Sequence, residues 1–474
     1  MRALRAAPAD ESEGRYIILP STGKIPGGGS LSIGAAVSPA VARFGSSGIR
    51  GLANVDVTPE LALRVGKAIG ELHGRTVVGR DPRTSGPMLA SALMAGVMSA
   101  GVDAVDAGLV STPTLARGAS EYGCGAMITA SHNPAPYNGI KLWNPDGMAF
   151  DEDQQEEIEA KLDSPTAGEV GWDRVGSLSS RRDLIERHME AILREIGPAR
   201  VRVVVDCGCG ATSTITPYVL REMGCEVTAM NAHADGHFPG RDPEPTEEHL
   251  ALLKSTVQAA HADLGIAHDG DGDRMVAVAH DGSFVGGDIL LAIFAKAEVR
   301  RGLVVPVDAS MVIEDLLPKA KVWRTRVGDV YVAAELKRRG ADFGGEPSGT
   351  WIFPKTTMCP DGVYAAARLA SLVAQRPLAS LAHSVPRYPV LRGAVPYELA
   401  KRAAIETRLD GFLRGLGAEI TTLDGWRLAF EDGWALVRFS GTEPKIRILA
   451  ESRDERRAKE IYSTVLSSAK GSAA

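Results

Sequence analysis

The sequence predicts an α/β protein with four domains, of which the last is a smaller α+β unit. Short β-branched runs alternate with amphipathic helical stretches over most of the chain, a pattern typical of layered α/β domains with parallel or mixed sheets. The chain has 474 residues, which is too long for one core, because domains usually hold about 100–150 residues.

Three strand–turn–helix units follow one another along the chain. Their strand-like runs are at 76–79, 201–205 and 303–306, and the helical stretches after them are at 85–100, 215–223 and 310–317. A polar or glycine-rich turn separates each strand from its helix. Because α/β proteins bind ligands at the carboxyl ends of such strands, we expect functional residues in these turns.

The end of the chain has a different pattern. A final helical stretch at 454–468 is preceded by four strand-like runs, at 418–423, 426–430, 434–439 and 446–451. This order predicts a small α+β domain with an antiparallel sheet.

Polar breaks near 184–200, 280–288 and 383–390 divide the chain into domains. The predicted domains are 41–185, 186–285, 286–385 and 386–474. Residues 1–40 are rich in Gly, Pro, Ser and Ala, and we expect them to form an irregular extension.

The composition disfavours several classes of protein. The net charge of -6 argues against a nucleic-acid partner, since such proteins usually carry a basic excess. No apolar stretch approaches the ~18 residues of a membrane helix, and the N-terminus lacks the apolar run of a signal peptide. We therefore expect a cytoplasmic protein without nucleic-acid or membrane partners. The five cysteines are too few and too irregular for a disulfide framework. We expect Cys207 and Cys209, which follow an apolar run, to be buried thiols.

The first segment with chemical potential is 128–134 (ITASHNP), followed by 138–141 (NGIK). Ser131 lies between an apolar run and a turn rich in His, Asn and Pro, which exposes its hydroxyl and surrounds it with donors. Lys141 follows an Asn-Gly pair that predicts a turn, so its side chain could fold back toward the hydroxyl. The residues alone also fit a surface turn in which Ser131 and Asn133 bond to the backbone.

The second segment is 268–274 (HDGDGDR), between two apolar strand-like runs. Asp269, Asp271 and Asp273 would repel one another without a cation, and carboxylate oxygens select Mg²⁺ or Ca²⁺. An EF-hand is excluded because Arg274 and His280 stand where that loop needs Gly and Glu. A solvated acidic turn is the structural alternative.

The third segment is 344–349 (GGEPSG). Its two glycines let the backbone approach a ligand, and Glu346 and Ser348 offer an acceptor and a donor that suit paired sugar hydroxyls. A tight turn without a ligand also explains it.

The fourth segment is 438–447 (RFSGTEPKIR). Hydroxyl and backbone N–H groups in its turn, flanked by two forked arginine donors, suit phosphate oxygens. The residues concerned are Arg438, Ser440, Gly441, Thr442 and Arg447. A charged hairpin is the alternative.

Two further loops could support such a site. Residues 44–51 (FGSSGIRG) form a Gly/Ser loop whose Arg50 could meet an anion near Ser131. Residues 324–329 (RTRVGD), which end in Gly328 and Asp329, form a second polar loop. Each loop also fits a structural role.

Together these segments resemble the α-D-phosphohexomutase family of phosphomannomutases, phosphoglucomutases and phosphoglucosamine mutases. The resemblance covers about residues 43–452 and includes, in order, FGSSGIRG, VGRDPRTS, TASHNP with NGIK, DGDGDR, RVGD, GGEPSG and RFSGTEPKIR. It implies three related α/β domains and a C-terminal α+β domain around a central cleft, with one loop from each domain.

The resemblance also implies a role for each matching residue. Ser131 matches the phosphoserine, and Asp269, Asp271 and Asp273 match the ligands of one Mg²⁺ per chain, completed by an oxygen on Ser131. Lys141 and Arg50 match the basic residues beside the transferred phosphoryl group. The residues that match substrate contacts are Arg274, Gly328, Asp329, Glu346, Ser348, Arg438, Ser440, Gly441, Thr442 and Arg447.

The implied reaction interconverts a hexose 6-phosphate and its 1-phosphate. The phosphoserine gives its phosphoryl group to the sugar, and the hexose bisphosphate so formed serves as both intermediate and primer. Closure of the last domain would exclude water. The expected partners are small sugar phosphates, and the expected assembly is a monomer or a homodimer.

The sequence departs from the family pattern at two positions. Thr350 stands where many relatives have His, which leaves open whether His132 or a water acts as a second acid or base. Phe439 stands where Pro is common, and we expect a change in packing.

The preferred sugar rests on a narrower resemblance. The runs SGTWIFP and CPDG are most similar to archaeal-type phosphoglucosamine mutases and favour glucosamine phosphate. Phosphates of mannose or glucose are the alternative.

Two other functional classes remain as alternatives. A binding or regulatory protein on the same scaffold would be expected to lose Ser131, a metal aspartate or the phosphate loop, and none is lost. A metal-dependent phosphatase would follow if water reached the phosphoserine.

Overall fold

Four β-sheets follow one another along the part of the chain that the computed structural model describes, residues 43–45, 48–163, 170–440 and 444–473. The predicted extension at 1–40 lies outside the described residues. The α/β class and the four-domain organisation predicted from the sequence are confirmed. None of the helices in the described ranges is both long and apolar enough to cross a membrane.

The first sheet has a parallel centre and an antiparallel side. Its strands are Phe44–Gly45 (β1), Gly48–Leu52 (β2), Thr76–Arg80 (β3), Ala104–Leu109 (β4), Cys124–Ile128 (β5), Tyr137–Trp143 (β6) and Leu178–Ser180 (β7). They lie in the order β1-β2-β6-β5-β3-β4-β7. Strand β3 pairs in parallel with β4 and β5, whereas β6 runs antiparallel to β5 and β2.

Four helices cover this sheet: Pro59–His73 (α1), Gly86–Ser99 (α2), Thr112–Gly118 (α3) and Glu152–Asp163 (α4). Helix α1 begins where the Thr58 side chain accepts a hydrogen bond from Leu61 N and Pro59 occupies the first turn. Helices α1 and α2 pack at close range because Gly66 has no side chain. A Cβ at that position would lie 2.0 Å from the carbonyl oxygen of Leu93.

The second sheet carries the predicted acidic loop on a hairpin. Its strands are Arg202–Asp206 (β8), Glu226–Met230 (β9), Leu264–His268 (β10), Met275–Ala279 (β11) and Phe284–Val285 (β12), in the order β12-β11-β10-β8-β9. Strand β8 is parallel to β9 and β10, and β10 is antiparallel to β11. The helices are Leu184–Glu195 (α5), Thr216–Glu222 (α6) and Ala251–Ala259 (α7).

The third sheet is the smallest. Its strands are Gly302–Pro306 (β13), Lys321–Thr325 (β14), Phe343–Glu346 (β15) and Thr350–Ile352 (β16), in the order β14-β13-β15-β16. Only the β15–β16 pair is antiparallel. Its helices are Gly287–Glu298 (α8), Val312–Leu316 (α9), Asp329–Arg339 (α10), Gly362–Val373 (α11) and Leu378–His383 (α12).

The fourth sheet is antiparallel throughout, as the sequence predicts. Its strands are Val390–Pro396 (β17), Glu419–Thr421 (β18), Trp426–Ala429 (β19), Gly433–Phe439 (β20) and Lys445–Ser452 (β21), in the order β17-β21-β20-β19-β18. Helices Arg402–Arg414 (α13) and Glu455–Ala473 (α14) pack on it. Short 3₁₀ turns in the chain are Ala119–Glu121, Ala211–Thr214, Glu247–Leu250 and Leu399–Lys401.

Apolar packing joins the middle of the chain into one body. A single buried cluster extends from Ile192 through the strands of the second sheet to Phe343 and Val385 of the third domain. The last domain has its own core around Ile405, Leu428 and Val465. All five cysteines are buried and unpaired, including the two expected to be buried. The first predicted break, 184–200, contains helix α5, whose buried face carries Leu184, His188 and Ile192.

Candidate active site

The serine loop, residues 129–136, connects the parallel strand β5 to the antiparallel strand β6. The predicted turn at Asn138–Gly139 is wrong, because both residues lie within β6 and pair with β2. Gly139 is needed there for close approach, since a Cβ would lie 2.3 Å from the oxygen of Ile49. The hairpin places Lys141 opposite Met127 of β5. Lys141 therefore returns toward the serine through a strand and not through a turn.

Ser131 lies in a left-handed backbone conformation with a φ of 52°, which is uncommon for a residue other than glycine and marks a constrained position. Its hydroxyl donates a hydrogen bond to Asp269 Oδ2 at 2.7 Å, and its Oγ lies 3.3 Å from His132 Nδ1. The side chain is 1% exposed. The serine hydroxyl of the first domain thus contacts the acidic loop of the second.

Arg83 holds the serine loop in this conformation. Its guanidinium is fully buried, pairs with Asp81 at 3.0 Å and donates to four backbone oxygens of the loop region at 2.6–2.9 Å. These oxygens belong to Ser131, Asn133, Pro134 and Tyr137. No role for Arg83 is predicted from the sequence, although its place in a charged run after the buried strand β3 is a visible signal.

Thr129 completes this support. Its hydroxyl donates to Asp81 Oδ2 at 2.6 Å and accepts a hydrogen bond from Ser131 N at 2.8 Å. The buried Asp81 therefore fixes the loop from two sides, through Thr129 and through Arg83.

The aspartate loop, residues 268–274, is the turn of the β10–β11 hairpin. Oxygens of Asp269, Asp271 and Asp273 all lie within 4.8 Å of one another, and the three residues are buried. Lys141 Nζ contacts Asp271 Oδ2 at 3.2 Å and Asp273 Oδ2 at 2.7 Å. The Thr112 hydroxyl donates to Asp271 Oδ2 at 2.6 Å.

The three carboxyl groups differ in their tendency to ionise. Burial raises the pKa of Asp269 well above its usual range, and the charges of Asp273 and Asp271 add to the rise. Burial also works against ionisation of Asp271, but Lys141 and the Thr112 hydroxyl hold its pKa below the usual range. For Lys141, burial is outweighed by Asp271 and Asp273, which raise its pKa. The lysine therefore stands as an ammonium beside the Asp271 carboxylate.

The chemistry of these donors fits a divalent cation. The Oδ1 atoms of Asp271 and Asp273 are buried and have no hydrogen-bond partner among the described residues. Buried carboxylate oxygens without a partner are costly unless a cation or another donor reaches them. Three hard oxygen donors on one short loop match the ligand preference of Mg²⁺ or Ca²⁺.

Other basic groups surround the serine loop. Arg50, on β2, donates to Asn133 Oδ1 at 3.1 Å, and burial lowers its pKa while Asp271 and Asp273 oppose the change. Burial lowers the pKa of His132 to about 2, and the neighbouring cations Arg274 and Arg50 reinforce this. His132 is thus a neutral imidazole that can share a hydrogen bond with Ser131.

The third domain presents Glu346 at the end of β15. Glu346 Oε1 accepts a hydrogen bond from Gly328 N at 2.7 Å, and Oε2 accepts from Thr350 Oγ1 at 3.1 Å and from Ser348 Oγ at 3.4 Å. Burial raises the pKa of Glu346 to about 7, and Asp329 adds to the rise. Thr350, at the position that departs from the family pattern, is therefore a hydrogen-bond donor to Glu346.

Asp329 and Arg274 are two further charged residues that the sequence predicts for the site. Burial raises the pKa of Asp329, although Lys141 opposes the rise. Arg274 pairs with Glu244 at 2.8 Å. Its pKa is raised because Asp269 and Asp273 outweigh the effect of burial. Arg274 N also donates to Asp269 Oδ1 at 3.1 Å, and Asp329 lines a small cavity together with Lys141.

In the fourth domain, Arg438 and Arg447 are cross-strand neighbours on β20 and β21. Arg438 pairs with Asp424 at 3.2 Å, and Asp424 also accepts a hydrogen bond from Val327 N at 3.1 Å. The contact brings Arg438 toward the loop that contains Gly328.

The rest of this segment is described in part. Ser440 follows β20 and its N–H donates to the carbonyl oxygen of Lys445 at 2.8 Å. The predicted residues Gly441 and Thr442 lie outside the described residues. Phe439 packs against Tyr397, with ring centroids 5.1 Å apart, and lies under Arg402, which is the packing role expected for it.

The structure therefore brings the predicted residues into two groups. The first contains Ser131, His132, Lys141, Arg50 and the three aspartates. The second contains Gly328, Glu346 and Ser348, with Arg438 joined to it through Asp424. Asp329 lies next to both groups, since it lines a cavity with Lys141 and directly follows Gly328, whose N–H donates to Glu346.

Four domain models match the chain in order. They are described as the phosphoglucomutase/phosphomannomutase alpha/beta/alpha domains I, II and III, at 41–169, 185–282 and 286–388, and the phosphoglucomutase/phosphomannomutase C-terminal domain, at 397–467.

Individual relatives match over nearly the whole chain. A probable phosphoglucosamine mutase of Methanocella arvoryzae is 53% identical over 424 residues, which cover 89% of this chain and 97% of that protein. Another from Methanosarcina acetivorans is 52% identical over 422 residues, 88% of this chain and 96% of that protein. The crystal structure of a phosphoglucomutase/phosphomannomutase family protein from Burkholderia thailandensis superposes with a TM-score of 0.82 at 27% identity, covering 91% of this chain and 98% of that one.

Proposed function

The chain belongs to the phosphoglucomutase/phosphomannomutase family, and from that premise we propose that it interconverts a hexose 6-phosphate and its 1-phosphate through a phosphoserine at Ser131. The resemblance drawn from the motifs is confirmed at the level of the family, and the protein is an enzyme of the phosphotransferring isomerase type.

One observation carries the proposed role of Ser131. Its Oγ lies 2.7 Å from Asp269 Oδ2, on a loop that Arg83 fixes through a hydrogen bond to the Ser131 carbonyl oxygen. A phosphoryl group on this oxygen would meet Lys141 and Arg50 nearby, so its negative charge would be balanced by two cations. Phosphoryl transfer depends mainly on positioning and on such charge compensation.

Asp269, Asp271 and Asp273 would hold one Mg²⁺ per chain, with an oxygen on Ser131 as a further ligand. A bound Mg²⁺ would neutralise charge that develops on the transferred group. The unpartnered Oδ1 atoms of Asp271 and Asp273 support this assignment.

The chain's own residues account for the proton movement. When the bond between phosphorus and Ser131 Oγ breaks, its electron pair stays on Oγ, and a sugar hydroxyl oxygen forms the new bond to phosphorus. The half-reaction moves one proton from that hydroxyl to Ser131. Lys141 is kept protonated by Asp271 and Asp273, so it can give its proton to the leaving Oγ of Ser131 and take back the proton that the attacking sugar hydroxyl releases. The reverse step, at the other end of the sugar, returns a phosphoryl group to Ser131.

Glu346 and Ser348 are proposed to bind the sugar hydroxyls, while Arg438, Ser440, Gly441, Thr442 and Arg447 bind the phosphate that does not react. Gly328 and Asp329 line the same side of the cleft, and Arg274 lies beside the aspartate loop. The proposed sugar is glucosamine, because several relatives bear the name probable phosphoglucosamine mutase. Mannose and glucose phosphates are the competing substrates.

The proposal is tested with purified protein and three substrates in separate assays: glucosamine 6-phosphate, mannose 1-phosphate and glucose 1-phosphate. We expect isomerisation that needs a trace of hexose bisphosphate, with glucosamine phosphate turned over fastest. Steady release of inorganic phosphate without isomerisation would instead identify a phosphatase.

The metal assignment predicts a large effect of Asp271→Asn. The variant should need about 10–100 times more Mg²⁺ for half-maximal activity, because a charged ligand and the partner of Thr112 are lost together. The measurement is a Mg²⁺ titration after treatment with a chelator. Asp281→Asn, in the exposed turn after β11, is the matched control and should behave as wild type. Full activity of Asp271→Asn without Mg²⁺ would refute the assignment.

The raised pKa of Glu346, about 7, predicts a pH-dependent KM. A carboxyl group with a raised pKa gains its proton as the pH falls through that value, and a protonated Glu346 loses acceptor capacity for sugar hydroxyls. We expect KM to rise roughly 5–10-fold between pH 8 and pH 6.

Glu346→Gln provides the control for this pH profile. The variant should show a high KM at both pH values, because an amide does not titrate. The substrate phosphate also titrates in this range, but it does so equally for both proteins, so the ratio of their KM values isolates Glu346. A constant ratio from pH 6 to pH 8 would contradict the prediction.

A further inference from the structure

We propose that His188 is a positioning residue for the aspartate loop: its imidazole joins the starts of two helices, α3 and α11, that bond to adjacent residues of this loop. The inference rests on the proposed metal site at Asp269, Asp271 and Asp273, and adds to it a residue far away in the sequence.

His188 lies at a junction of three domains. It belongs to α5, at the start of the second domain, and is 1% exposed. Its Nε2 lies 2.9 Å from Asp361 Oδ2 of the third domain, and its Nδ1 lies 2.9 Å from Thr114 Oγ1 of the first domain. Because a carboxylate only accepts hydrogen bonds, Nε2 carries the proton and donates to Asp361.

The contacts that run from His188 through Thr114 and the start of α3, here called the first-domain arm, end at Asp271. Thr114 Oγ1 lies 2.7 Å from the Oγ of Ser111, which is the residue that precedes α3. Thr112, between them, makes two hydrogen bonds to Asp271: its N–H donates to the carbonyl oxygen at 2.8 Å, and its hydroxyl donates to Oδ2 at 2.6 Å. The orientation of the Asp271 carboxylate therefore depends on where the first turn of α3 lies.

The contacts that run from His188 through Asp361 and the start of α11, the third-domain arm, end at Gly272, the residue after Asp271. Asp361 caps α11, with its Oδ1 accepting from Tyr364 N at 2.9 Å. The next residue, Gly362, donates its N–H to the carbonyl oxygen of Gly272 at 3.2 Å. Gly362 lies so close to the loop that a Cβ there would be 2.6 Å from the oxygen of Arg274.

These contacts distinguish His188 from a histidine that only fills a core. Both of its hydrogen-bond partners belong to helix starts, and each helix start bonds directly to the loop, at adjacent residues. Removal of the imidazole would leave Asp361 as a buried carboxylate without its partner, and both helix starts could then shift. Partners that orient metal ligands typically change metal affinity or activity about 10–100-fold when they are lost.

The test compares Mg²⁺ binding by the full chain, measured by titration calorimetry without substrate, in wild type and His188→Phe. Phenylalanine keeps the ring and removes both hydrogen bonds. We expect the Kd for Mg²⁺ to rise about 10–100-fold and kcat to fall by a similar factor. KM for the sugar phosphate should change less than about 2-fold, because the residues proposed to bind sugar and distal phosphate lie elsewhere.

Thr114→Val is the second variant and breaks only the first-domain arm. It should also weaken Mg²⁺ binding. In combination with His188→Phe it should add little, since His188→Phe already removes the hydrogen bond to Thr114. His73→Phe, which replaces a ring packed on Phe150 at 4.6 Å, is the matched control and should bind Mg²⁺ as wild type does. If His188→Phe does not fold, Thr114→Val decides the question alone.

Unchanged Mg²⁺ affinity in folded His188→Phe, or in Thr114→Val where the former does not fold, would overturn the inference. A wild-type protein that binds no Mg²⁺ would overturn the metal site and the inference with it. A wild-type protein that binds Mg²⁺ but interconverts none of the sugar phosphates would refute the proposed reaction only, and the Mg²⁺ titrations would still support or overturn the role of His188.

Discussion

Ser131→Ala is expected to lower mutase activity at least about 10⁴-fold, because it removes the oxygen that carries the phosphoryl group in both halves of the reaction. The fold should persist, since the loop is fixed by Arg83 through backbone oxygens and by Thr129 through the Ser131 N–H. The residual rate would be that of a bound sugar phosphate with no nucleophile.

The measurement combines kinetics with labelling. Incubation with hexose bisphosphate that carries labelled phosphate should mark one residue of the wild-type protein and leave Ser131→Ala unlabelled. Ser120→Ala removes an exposed hydroxyl of the same domain and should retain both label and activity. Full activity, or undiminished labelling, in Ser131→Ala would refute the proposed carrier.

The sequence predicted the positions of most regular elements that support the site. The runs at 76–79, 264–267 and 275–279 became β3, β10 and β11, and the loops at their ends carry the charged residues. These strands could be predicted because the change from a buried apolar strand to the polar loop after it is visible within a few neighbouring residues. The acidic loop was visible for the same reason, since its three carboxylates lie within five residues.

Local patterns also produced the errors. Asn138 and Gly139 predicted a turn, but the glycine is there because the backbones of neighbouring strands approach closely. No helix is predicted within the polar stretch at 184–200, which contains α5. Its exposed face is as polar as a linker, and only its narrow buried face marks a helix.

Contacts between distant residues could not be predicted from patterns of this kind. Thr112 and Asp271 are 159 residues apart, and His188 and Asp361 are 173 apart. Nothing near Thr112 or His188 in the sequence indicates these partners. They come together because three domains meet at the aspartate loop, so the residues that orient the site are less visible than those that form it.

Arg83→Met is expected to have the second largest effect, on stability and on activity together. Methionine fills much of the space but leaves the buried Asp81 carboxylate without its cation, and it removes the guanidinium donors from four backbone oxygens, of which that of Pro134 also accepts from Tyr137 N. The free energy of unfolding should fall by about 3–5 kcal/mol. Activity should fall at least about 100-fold, because a displacement of Ser131 near 1 Å suffices for such a loss.

Two further substitutions separate the effects on stability and activity. Arg83→Met combined with Asp81→Asn removes the unpaired charge, so denaturant unfolding should show part of the stability restored while kcat stays low, because the serine loop still lacks its donor. Arg83→Lys keeps the charge beside Asp81 but has three donors where arginine has five. It should therefore retain a larger fraction of the wild-type stability than of the wild-type activity. Arg75→Met, at a surface arginine over Tyr122, controls for loss of a guanidinium and should alter stability by less than about 1 kcal/mol. If activity returned with stability in the double variant, Arg83 would serve the fold alone, and the conformation of Ser131 would have to be fixed by Thr129 and Asp81.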